Sequence, residues 1–180
     1  MENDKVILVS EHDDMVGIMD KMEAHKQGLL HRAFSIFIFN TKGEMLLQQR
    51  AISKYHSGGL WTNACCSHPM PGEKTKDAAQ RRLMEELGFE TPVEKIFDFV
   101  YKASFENGLT EHEFDHVFAG EYEGKLNINP DEVNDVCYKE ISAIRRHCKL
   151  IRRSIQHGFI LPFQKLKNGG KIDMQIQLLK

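Results

Sequence analysis

The 180-residue sequence has no apolar run near the roughly 20 residues needed to span a bilayer. Near its start only Val6 to Val9 is continuously apolar, with acids on both sides, so neither a signal peptide nor a membrane anchor is expected. It also lacks a dominant charge. Lys and Arg number 24 against 26 Asp and Glu, a net charge of −2, and no overall field draws the chain to nucleic acid or a membrane surface. The four cysteines (65, 66, 137 and 148) include a vicinal pair poorly placed to bridge itself, and they imply no disulfide framework. Repeats, low-complexity tracts and long linkers are missing too. These absences leave a single domain over residues 1–180, expected to be cytoplasmic and reduced. The apolar share of 41% and charged share of 28% are those of an ordinary globular protein with a sizeable core.

Val6 to Val9 reads as a first strand, Met15 to Met22 is mixed, and the segment from His25 to His31 is expected to be a loop because Gly28 interrupts it. Arg32 to Asn40 is dense in β-branched and aromatic residues, as a central strand requires, with Glu44 to Arg50 as its hairpin partner across Thr41-Lys42-Gly43. Ile96 to Phe105 and Leu109 to Ala119 form a second strand pair. Glu111 and Glu113 share one face of the later strand, and two neighbouring carboxylates call for a cation or open water. Ile141 to Gln156 has an amphipathic helical period, and Leu161-Pro162-Phe163 begins a short second helix.

The densest chemistry lies in Trp61-Thr-Asn-Ala-Cys-Cys66-Ser-His68-Pro-Met-Pro-Gly-Glu73. Trp61 to Cys66 is strand-like, so Cys66 and His68 share a face and Cys65 takes the other. Ala79, Leu83 and Leu87 then follow at helical spacing up to a stop at Gly88, which stacks Arg82 one turn from Glu86. A cation and a carboxylate so placed beside a thiol suit a phosphate bridged by a divalent metal. Arg50 and Lys54, in the loop before this stretch, are candidate phosphate anchors. His25 and His31 can meet at one metal if the chain folds back on itself. On composition alone, such a Glu/Arg-rich helix is more often a solvated face.

In order, His25 and His31, Arg50-x-x-x-Lys54, Trp61-Thr-Asn-x-x-Cys66-x-His68-Pro, Arg81-Arg-Leu-Met-Glu-Glu86-Leu-Gly and Glu111-x-Glu113 closely resemble the motifs of type I isopentenyl-diphosphate isomerases of the Nudix superfamily. The likeness runs from Val6 to about Phe163. It implies an α+β fold, a Nudix-type α/β/α sandwich with a mixed sheet. It also implies that His25, His31, His68, Glu111 and Glu113 hold a divalent metal, Mn2+ or Zn2+. Glu86 and the backbone carbonyl of Cys66 would hold Mg2+ on the substrate diphosphate, and Lys21, Arg50, Lys54 and Arg82 would clamp it. Cys66 and Glu113 would be the acid/base pair, Tyr101 would assist, and Phe163 would stand where relatives carry a tryptophan. The implied substrate is isopentenyl diphosphate, with no nucleic-acid or membrane partner, and the chain would be a monomer or weak homodimer. The alternative is a Nudix pyrophosphohydrolase of a nucleoside diphosphate derivative. It is disfavoured because Arg81-Arg82 stands where the hydrolase helix reads Arg-Glu.

Overall fold

The computed structural model of the chain describes residues 4–54, 57–105 and 107–150. The elements run β1 (Lys5–Val9), β2 (Met15–Asp20), α1 (Lys21–Gln27), β3 (His31–Phe39), β4 (Met45–Arg50), β5 (Trp61–Thr62), β6 (Cys65–Ser67), α2 (Thr75–Leu87), β7 (Val93–Ser104), β8 (Thr110–Glu121), β9 (Val133–Lys139) and α3 (Ile141–Leu150). The end of the expected helix beyond Leu150, the helix from Leu161, and Phe163 lie outside the described residues. Among those residues, no helix is long and apolar enough to cross a membrane.

The strands make one mixed nine-stranded sheet organised on β3. Its nearly unbroken apolar run fits burial on both faces. Phe34, Ile36 and Ile38 pack with Ala78, Ala79, Leu83 and Leu87 of α2, whereas Phe37 and Phe39 pack with Ile144 of α3, Phe99 and Tyr101. Alternate residues of one strand thus feed two helical layers, which gives the expected α/β/α sandwich.

Along one edge β3 pairs in parallel with β8, from His31 against Glu113 to Phe39 against Glu121. β8 in turn pairs antiparallel with β7, setting Tyr101 opposite Glu113. On its other edge β3 is shared. β1 meets it at His31, β6 covers Phe34 to Ile36, and β4 keeps only the Phe39–Met45 pair. The expected hairpin therefore splays after one pair, because β4 turns to join β5 and β9. That splay gives β6 its place and sets Cys66 opposite Ser35.

Three elements escaped the sequence pattern, the first being β2, which lies in the stretch read only as mixed. α1 covers the first part of the expected loop, His25 to Gln27, and starts before it at Lys21. Asp20 caps it by accepting from the Glu23 amide, and Gly28 closes it in a left-handed turn at φ 62°. Its buried residues are Ala24 and His25, so a histidine takes the place where an apolar residue would have signalled a helix. β9 is rich in Asn, Asp and Lys and only part-buried, so it carries little alternation to read.

Candidate active site

His25, His31, His68 and Glu113 come from α1, the first residue of β3, the end of β6 and β8, and their ligand atoms all lie within 4.8 Å of one another. His25 and His31 are fully buried. The Nδ1 of His25 donates to the Lys21 carbonyl at 2.7 Å, and that of His31 donates to the Leu29 carbonyl at 2.8 Å. Each backbone carbonyl fixes the tautomer and presents Nε2 as the lone-pair nitrogen. The Nε2 of His31 is buried without a hydrogen-bond partner, 3.7 Å from the Glu113 carboxylate. His68 Nε2 approaches the same carboxylate at 3.2 Å.

A buried cluster of three imidazoles and an acid is costly unless a cation joins it. Burial lowers His68 to about 4 and also lowers His25, so both imidazoles are neutral at pH 7. Burial opposes ionisation of Glu113, but the adjacent His31 and His68 imidazoles outweigh it and hold the carboxyl well below its usual range. Neutral imidazoles and an ionised carboxylate are the donor set a borderline divalent metal takes. Glu111, the fifth expected ligand, is buried on the same face of β8 but is not one of these four converging groups. Its Oε2 lies 3.1 Å from the Tyr101 hydroxyl, which also donates to Glu113 Oε2 at 2.6 Å. Burial and the two carboxylates raise Tyr101 well above its ordinary value, so the phenol keeps its proton.

Cys66 and Cys65 face opposite layers, as strand alternation requires. Cys65 is fully buried in the α2 core and donates to Glu86 Oε1 at 3.3 Å. The Cys66 sulfur is 3.0 Å from the Asn63 carboxamide oxygen and 3.5 Å from the Ser35 hydroxyl, which itself donates to Asp115 at 2.8 Å. Asn63 is anchored by donating to the carbonyls of Ile36 and Cys65, at 3.0 and 2.9 Å. Burial, then the nearby Asp115 carboxyl, raises the Cys66 thiol to about 12, against hydrogen bonding with Ser35, Asn63 and Thr62. The sulfur rests as a thiol.

Next to the thiol the character of the site changes. Arg82 pairs with Glu86 at 2.7 Å, with Glu85 at 2.6 Å and with Glu132 at 3.3 Å, and Glu132 also pairs with Lys54. Gln48 holds the second oxygen of Glu86 at 3.0 Å. Arg81 takes up Glu73 and Glu85, at 2.7 and 3.0 Å. Lys21, Arg50, Lys54, Arg82 and Glu86 line the same cavity of about 380 Å3 as Cys66, His68, Tyr101, Glu111 and Glu113. Apart from Phe163, every residue expected at the site therefore reaches one cavity, directly or through the imidazole cluster.

The NUDIX domain family matches residues 29–172. Among curated proteins, the chain is 46% identical to an isopentenyl-diphosphate Delta-isomerase of Pectobacterium atrosepticum, over 90% of both chains. It is 57% identical to isopentenyl-diphosphate Delta-isomerase 2 of Aromatoleum aromaticum, over 73% of this chain and 70% of that one. The chain belongs to the isopentenyl-diphosphate Delta-isomerase family, within the NUDIX fold. Solved structures agree on the fold. A Deinococcus radiodurans protein superposes with TM-score 0.64 at 18% identity, over 84% of this chain and 99% of that one. The MutT protein of Methanosarcina mazei gives 0.60 at 17%, over 78% and 96%.

Within this isomerase-family site, four residues carry contacts that the motifs did not assign. Ser35, Asn63 and Asp115 surround the thiol, and Glu132 closes the cationic end. Ser35 is a hydroxyl in an otherwise apolar run, and Asp115 continues the parity of Glu111 and Glu113. Both signals were legible in hindsight. Glu132 precedes an unrecognised strand and had none.

Proposed function

We propose that the chain interconverts isopentenyl diphosphate and dimethylallyl diphosphate, dividing two proton transfers between Cys66 and Glu113. The observation that carries this reading is a half-buried thiol and a buried, metal-ready carboxylate lining one cavity whose far end is cationic. The diphosphate is held by Lys21, Arg50, Lys54 and Arg82, which leaves the five-carbon chain to extend toward Cys66 and Glu113. One proton is added to the terminal alkene carbon, leaving a tertiary carbocation, and one is removed from the neighbouring methylene to form the new double bond. An unactivated alkene is a weak base, so close placement of the acid and exclusion of water dominate the barrier. Tyr101, kept protonated, holds the Glu113 carboxylate by donating to it and links it to Glu111. Asn63 and Ser35 fix the direction of the Cys66 sulfur.

His25, His31, His68 and Glu113 would hold the resident divalent metal, Mn2+ or Zn2+, with Glu111 able to complete the set. Glu86 would hold Mg2+ against the diphosphate. The metals supply positive charge that lowers the proton affinity of Glu113 and neutralises the diphosphate. The test is proton NMR of isopentenyl diphosphate in deuterated buffer with metal-reconstituted protein. Deuterium should enter both product and recovered substrate; unchanged substrate with fully metallated protein defeats the proposal.

A further inference from the structure

Glu132 is an acid in the clamp that lines the cavity and that the isomerase reading does not use. Its Oε2 reaches the ammonium of Lys54 and, at 3.3 Å, Nη2 of Arg82, so one carboxylate oxygen sits where two expected phosphate-binding cations converge. Its side chain is only 24% exposed. Burial opposes its charge, but Lys54 and Arg82 keep the carboxyl below the ordinary range, and it remains an anion.

Its backbone is pinned to both elements that supply the cations. The Glu132 carbonyl accepts from Ala51, beside Arg50, and Asn129, whose carbonyl accepts from the Glu132 amide, donates to the Glu86 carbonyl on α2. Meanwhile Nε of Arg50 and Nε of Arg82 are buried without hydrogen-bond partners, so the clamp has donor capacity that Glu132 does not fill.

We propose that Glu132 is a built-in stand-in for the substrate's phosphate, a specificity-determining residue whose carboxylate seats Lys54 and Arg82 in the free enzyme and is displaced by the diphosphate. This rests on the isomerase reading of the clamp. Before substrate arrives, Glu132 keeps the two cations converged and covers their charge. When a diphosphate enters, its oxygens take Lys54 and Arg82 and also reach the unfilled donors of Arg50 and Arg82. The displaced carboxylate turns to the solvent on its exposed side. Every anion must therefore displace an internal competitor, which sets a threshold that a chelating diphosphate passes and a single weak anion does not.

The experiment is isothermal titration of inorganic diphosphate, with Mg2+, into wild-type protein, Glu132→Gln and Glu132→Asp. Steady-state isomerisation is measured alongside. Glu132→Gln keeps the shape and removes the charge. It should bind inorganic diphosphate about tenfold more tightly and lower KM with little change in kcat, as expected when a like charge beside the ligand is removed. Glu132→Asp, which keeps the charge but pulls it back, should fall between the two. Equal or weaker binding by Glu132→Gln overturns the inference and makes Glu132 a positioning residue for the bound state; should that variant not fold, the same result with Glu132→Asp overturns it. Wild-type protein that binds no inorganic diphosphate at all sinks the clamp, and the isomerase reading with it. Wild-type protein that binds and isomerises, with no gain in the variants, sinks the inference alone.

Discussion

The two ends of the cavity solve opposite problems. At the imidazole end the groups are largely buried, and two of the three imidazoles are held by backbone carbonyls. At the clamp end they are long, half-buried side chains already paired with acids and still able to take an anion. A desolvated cluster with fixed tautomers suits a resident ion that stays through turnover, because its geometry is formed in advance and its cost is met once. Exchangeable ion pairs suit a ligand that comes and goes, because each bond it makes replaces one already present. Cys66 lies between these regimes.

That contrast can be broken at three points. The largest effect is expected at the junction. Cys66→Ala should lower kcat by about a thousandfold, within the range for losing a general acid or base, and leave both ends intact. Metal content by mass spectrometry and inorganic diphosphate binding should be unchanged; loss of either would mean that the thiol belongs structurally to one end.

The second point is pH. Because His68 sits at about 4 in the folded, metal-free chain against an ordinary value near 6.5, the unfolded chain takes up its proton first. Stability is then fully present above pH 6.5 and is lost as pH falls toward 4, by about 3 kcal/mol for this group, with His25 adding in the same direction. Denaturant melts of the metal-free protein should show this slope. Metal-loaded protein should resist it further into acid, since proton and metal compete for the same nitrogens. A flat profile without metal would contradict the dry cluster.

The smallest effect is expected at the clamp. Arg82→Lys keeps the charge but loses the fork that reaches Glu85, Glu86 and Glu132 together. KM should rise about tenfold with kcat nearly unchanged, the pattern of lost uniform binding. A comparable fall in kcat would place Arg82 in the chemistry.

The core of the sandwich was readable because β3 is a nearly unbroken apolar run, β7 and β8 form a strand pair rich in apolar residues, and α2 carries Ala79, Leu83 and Leu87 at helical spacing and ends at Gly88. The residues that line the cavity were legible through the ordered motifs, and the alternation of Cys65, Cys66 and His68 followed from strand geometry alone. α1 was not, because His25 joins the imidazole cluster from the helix's buried face and so removes the apolar mark of a helix. The surroundings of the thiol were hidden for a different reason. Ser35, Asn63 and Asp115 are 80 residues apart at the extremes and meet only through the parallel pairing of β3 with β8 and the splay that admits β6. Glu132 depends on the β4–β9 pairing, which has no local signature.

The vicinal cysteines make the short strand β6 unusually sensitive to how it is threaded. Sliding it by one residue against β3 would swing Cys65 into the chamber in place of Cys66 and turn His68 away from the other imidazoles. A sulfur would still face the cavity, yet the imidazole cluster would lose one of its members. Threading errors there would yield protein that stains for an accessible thiol and carries too little metal.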